Sequence, residues 1–101
     1  MSRGPAEAEV HRLDGELRLA CDPAATPAAE ACFRRAIEIA RAQQAKSWEL
    51  RGAMSMARLW RDQGKRNEAR DLLAPVYGWF TEGFDTLDLR EAKTLLDNLR
   101  A

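Results

Sequence analysis

Residues 48–80 read WELRGAMSMARLWRDQGKRNEARDLLAPVYGWF, and the spacing inside this stretch decides the fold. Ala53, Met56, Ala57 and Trp60 recur at intervals of three and four before Gly64; Ala69, Leu73 and Val76 do so after it. That periodicity predicts two helices joined at a glycine. The small residues Ala57 and Ala69 allow the pair to approach closely, and the large ones fill the space beside them. Ser47 is the expected cap of the first helix and Asn67 of the second, with Gly64 ending the first. Pro75 lies inside the second and predicts a kink there, because it removes one backbone hydrogen bond.

Outward from this pair the chain repeats itself. Thr26 caps a predicted helix over about 27–44 whose inner stripe is Ala29, Cys32 or Phe33, Ala36, Ile37 and Ala40. Ala29, Phe33 and Ala36 recur 40 residues later as Ala69, Leu73 and Val76. Before it, Pro5 can open a first helix over about 6–21, with Val10, Leu13, Leu17 and Ala20 as an apolar stripe and Glu9, Arg12, Glu16 and Arg18 on the opposite side. Residues 1–5 are read as a flexible start and 6–101 as one domain. At the other end, Gly83 stops the fourth helix and Asp85 or Thr86 caps a fifth, striped by Leu89, Ala92, Leu95, Leu96 and Leu99. The expected fold is all-α, two antiparallel hairpins plus a C-terminal capping helix, with no strand.

With Leu50 as position 1, the small and large residues of the quoted stretch fall at 4, 7, 8, 11, 20, 24 and 27, and Gly64 at 15. This pattern resembles the tetratricopeptide repeat, a right-handed stack of helical hairpins that binds proteins. Three phrases, ACFRRAIEIARAQQAKSWELR, MARLWRDQG and LLAPVYGWFTEGFDTLDLREAKTLLDNL, are also similar to the C-terminal repeat tail of large bacterial signalling proteins. Those join a class III adenylate or guanylate cyclase-like domain, or a transcriptional regulator domain, to a predicted ATPase module. The resemblance implies a non-catalytic module for protein–protein interaction or self-association. It covers residues 8–100 and is most specific at WFTEGFDT, but the chain holds neither the cyclase metal-binding aspartates nor a Walker motif.

Composition bounds the rest. Hydrophobic residues make up 46% and charged residues 32% of 101 residues, a globular balance and not that of a disordered chain. Sixteen basic and sixteen acidic side chains cancel, which disfavours a dedicated nucleic-acid binder. Arg34, Arg35, Arg41 and Lys46 remain the alternative, a phosphate-contacting face. The start MSRGPAEAEV lacks an apolar leader core, and no run reaches the roughly 20 apolar residues of a membrane span. The expectation is a cytoplasmic protein with Cys21 and Cys32 reduced.

No catalytic, cofactor or metal site is read. One histidine, His11, cannot serve a triad or complete a metal set. Two surfaces carry the functional expectation. Arg51, Met54, Arg58 and Arg61 form a row on the third helix, a groove for an acidic protein or peptide segment. Leu17, Leu19 and Ile39 lie on the face an upstream repeat would cover, and predict a homodimer through that end.

Overall fold

The structure is a computed structural model describing residues 6–80 and 87–100. Five helices follow one another: α1 (Glu7–Cys21), α2 (Thr26–Ala42), α3 (Lys46–Asp62), α4 (Arg66–Trp79) and α5 (Leu87–Arg100), with no strand among the described residues. Successive helices pack as antiparallel neighbours, and α3 also touches α1 and α5. The body measures 34 × 34 × 19 Å, two helix diameters thick. One layer holds α1, α3 and α5; the other holds α2 and α4. The expectations for residues 1–5, Gly83, Asp85 and Thr86 lie outside the described residues.

The central hairpin forms as its spacing predicts. Ala57, Ala69 and Leu73 are fully buried in one cluster with Leu50, Ala53 and Val76, which α5 completes with Leu89, Ala92, Leu95, Leu96 and Leu99. A second cluster joins Ala29, Phe33 and Ile37 of α2 to Met56 and Leu59 of α3. Gly52 lets these helices touch: a β-carbon there would stand 2.9 Å from Ile37 Cγ1. Trp60 Nε1–H donates to Glu30 Oε1 at 2.6 Å across the same seam.

Helix ends are set by backbone motifs more than by side-chain caps. Gly64, with φ +81, closes α3: its N–H reaches the Arg61 carbonyl at 3.0 Å and the Lys65 N–H reaches that of Trp60 at 2.7 Å. The same pair of bonds closes α2, but Gln44, with φ 54, occupies the left-handed position. Thr26, Ser47 and Asn67 do not cap. The residues in those places are Ala25, Ala45 and Lys65, without side-chain cap bonds, and the Thr26 hydroxyl donates instead to the Pro23 carbonyl. Pro75 is accommodated inside α4, which continues to Trp79.

α1 is turned the opposite way from the usual relation between an apolar stripe and a core. Val10, Leu13 and Leu17 are 62%, 53% and 63% exposed. The side facing the body carries Ala8, Gly15 and Leu19, with Glu9 and Arg12 half-buried at its margin. The reason is local: a β-carbon on Gly15 would lie 2.6 Å from the Phe33 ring, so the gap at Gly15 is what lets α1 lie on α2. No large side chain of the stripe would fit there.

Candidate interaction surfaces

The arginine row of α3 is largely closed from within. Arg51 Nε bonds Asp88 Oδ2 of α5 at 2.9 Å, and Arg51 Nη1 stands 3.6 Å from Glu9 Oε1 of α1. Its guanidinium also lies over the Trp48 ring, 5.2 Å from the centroid. Arg58 pairs with Glu91 of α5 at 3.6 Å, and Arg61 with its neighbour Asp62 at 3.3 Å. Met54 is 3% exposed, buried in the α3–α4–α5 cluster, so it is a core residue and offers a ligand no contact. α5 leans over this side of α3 and covers it. Glu49, which flanks the row in sequence, turns to the other layer and takes Arg41 at 3.0 Å and Lys46 at 3.3 Å.

Arg51 thus works as a strap across the helical layer, tying α1 and α5 to α3. Glu9 also accepts from Arg12, and Arg12 reaches Ser55 of α3 at 3.4 Å. The bond to Glu9 raises the Arg12 pKa above its ordinary value, against the opposing effect of burial. What remains open of the row is Arg58 and Arg61, which border a cleft against α1 on one side and a cleft against α5 on the other.

The basic face formed by α2 and the start of α3 is paired with carboxylates. Arg34 pairs with Glu30 at 3.6 Å and Arg35 with Glu38 at 3.8 Å, while Arg41 and Lys46 share Glu49. Four cations against three carboxylates leave a net charge of one, a small field for a phosphate backbone. Trp79 is 55% exposed, set edge-on to Phe80 at 5.1 Å, with Lys46 Nζ 5.4 Å from its ring centre.

For chemistry, the described residues hold no group of three metal-ligating side chains. Cys21 and Cys32 are free thiols. The Cys32 thiol faces Asp14 Oδ2 at 3.5 Å; burial and that carboxylate push its pKa up, away from the thiolate a nucleophile requires. No helix among the described residues is long and apolar enough to cross a membrane.

Among the described residues, the N-terminal end of the stack carries three of the four exposed large apolar side chains. Of the three residues expected there, only Leu17 lies open. Leu19 is half-buried against the α2–α3 cluster. Ile39 is 6% exposed, packed with Ala8 and Ala40 beneath α1, and this corrects its placement on an outer face. Val10 and Leu13 take their places.

A shift of 42 residues shows what that surface is. It carries Gly15 onto Ala57, each being the small residue its helix turns toward the next one. The same shift carries Val10, Leu13 and Leu17 onto Gly52, Ser55 and Leu59, and in α3 those residues are buried against α1 and α2. The second helices repeat at 40, not 42, because α1 runs one residue further past Gly15 than α3 does past Ala57, and the first connection, 22–25, is one residue longer than the second, 63–65. The outer face of α1 is therefore the counterpart of the face with which α3 sits on the preceding hairpin.

Compared with models of known protein families, with curated proteins and with solved structures, the chain has no match.

Proposed function

We propose that this chain is a non-catalytic protein–protein interaction module, a tetratricopeptide-type helical stack that seats a helical element of another chain on the outer face of α1. One observation carries the reading: Val10, Leu13 and Leu17, at 62%, 53% and 63% exposure, occupy the positions that α3 uses to sit on a neighbouring hairpin. A contiguous apolar row of this kind marks an interaction site. The likeness of its phrases to the repeat tails of bacterial signalling regulators agrees with an associating role in the cytoplasm.

The arginine row takes second place, because Arg51 and Met54 are used internally and an acidic segment would find only Arg58 and Arg61. The nucleic-acid reading is less favoured again, given the paired cations of α2.

The test is sedimentation velocity of fluorescently labelled chain in an extract of its host. Wild type should sediment faster than an 11.4 kDa monomer, and Leu13→Lys/Leu17→Gln should sediment as the monomer. Equal sedimentation of the two would overturn the assignment of this face. Lysine at 13 falls beside Glu9 and Glu16, so the helix itself is supported.

A further inference from the structure

Resting on the reading of α1 as a docking surface, we propose that its occupant is a second copy of this chain, seated α1 against α1 in antiparallel fashion about a two-fold axis near Leu13. The opposite end of the molecule disfavours the other way of joining copies. The outward side of α5 presents Lys93, Asp97 and Arg100, all exposed, while Glu91 at its margin pairs with Arg58 of α3. A copy offering that end to Val10, Leu13 and Leu17 would strip water from charges and return only apolar contacts. Head-to-tail stacking on α5 is therefore disfavoured, whereas two apolar ends that meet their like close as a dimer.

The charges around the row permit that meeting. Asp14 pairs with Arg18 at 3.3 Å within α1. On adjoining α2, where Cys32 touches Asp14, Arg35 pairs with Glu38. On the other margin Glu9 is held by Arg12 and Arg51. Two such faces carry no large field of one sign to repel each other.

The row also reads nearly the same in both directions. Val10 and Leu17 lie equally far from the midpoint between residues 13 and 14, so in an antiparallel pair Val10 meets the partner's Leu17 and Leu13 lies beside the axis. Cys21 is exposed one turn beyond Leu17. In this arrangement it stands about 22 Å along the helix axis from its mate, too far for a disulfide.

Sedimentation equilibrium of the purified full chain, from about 10 μM to about 1 mM, tests the proposal over the range where small interfaces dissociate. A monomer–dimer equilibrium is expected, with Kd raised at least about tenfold in Leu13→Lys/Leu17→Gln at unchanged helical circular dichroism. In the variant Leu13→Cys/Cys21→Ser, mild oxidation should give a covalent dimer, whereas wild type, with Cys21 intact, should give none. A monomer throughout the range, assembly beyond the dimer, or ready cross-linking through Cys21 would each overturn the proposal. A purified monomer that still forms a Leu13-dependent complex in host extract would sink the second copy and leave the docking surface standing. A monomer in both settings would sink both.

Discussion

The two ends of the helical stack are opposite in character. At the C-terminal end, α5 buries Leu89, Ala92, Leu95, Leu96 and Leu99 and turns Glu91, Lys93, Asp97 and Arg100 to water. At the N-terminal end, α1 buries Ala8 and Gly15 and turns Val10, Leu13 and Leu17 to water. Both helices are amphipathic in sequence, yet only α5 uses its apolar side to close the fold. Periodicity establishes that a helix has two faces; what lies against each depends on which chain supplies the neighbour. α5 buries its apolar side within the chain, and α1 leaves Val10, Leu13 and Leu17 in water.

Truncations at the two ends break or confirm this contrast most forcefully. Leu96→Ala should cost about 2–5 kcal/mol, because it leaves a cavity in a closed cluster. Leu13→Ala should change stability by no more than about 0.5 kcal/mol, since its side chain is already in water. Urea unfolding of both variants at low protein concentration measures the difference. Comparable losses would mean that Leu13 packs within the chain.

Gly15→Ala sharpens the account of α1. Alanine favours a helix interior by about 1 kcal/mol, but the new β-carbon would press on the Phe33 ring, which is fully buried. Overpacking of this kind costs about 1–3 kcal/mol, so a net loss of about 1 kcal/mol is expected in thermal melts. A gain would show that α1 does not depend on Gly15 for its seat.

The helix ends offer a smaller, signed comparison. Gln44 and Gly64 hold equivalent left-handed positions. Gln44→Gly should therefore stabilise by up to about 1 kcal/mol and Gly64→Ala should destabilise by about the same. Chemical denaturation of the two variants checks both signs.

Arg51→Met should have a small effect. Arg51 is 39% exposed, so the strap to Glu9 and Asp88 is screened by solvent and contributes no more than about 1 kcal/mol. The loss should shrink as salt is raised. An effect that does not respond to salt would mean that packing on Trp48, and not charge, holds α1 and α5 to α3.

Much of the fold was legible in the sequence, for a reason that also explains the failures. α2, α4 and α5 each have one apolar side and bury it, so the stripes Ala29–Phe33–Ala36, Ala69–Leu73–Val76 and Leu89–Leu95–Leu99 read correctly. α3 is central and touches every other helix. It is covered on nearly all sides, and no periodicity could reveal that Met54 is core while Arg58 keeps an edge in solvent. In α1 the informative signal was weak. Ala8 and Gly15, seven residues apart, marked the contact face, and a glycine inside a helix is costly enough to suggest close packing. The three leucine and valine side chains opposite them gave a stronger pattern that pointed away from the body. The caps at Thr26, Ser47 and Asn67 failed because Ala25, Ala45 and Lys65 stand at those helix starts, none with a side-chain cap bond.

The central claim is that the apolar row of α1 serves contacts with another chain and contributes nothing to closing this one. Urea unfolding of Leu13→Lys/Leu17→Gln, followed by circular dichroism at a concentration where wild type is monomeric, tests it most directly. The account predicts a midpoint within about 0.5 kcal/mol of wild type in stability. A loss of several kcal/mol, of the size that removing a buried leucine produces, would show that α1 folds with its apolar row against the body and would contradict the account.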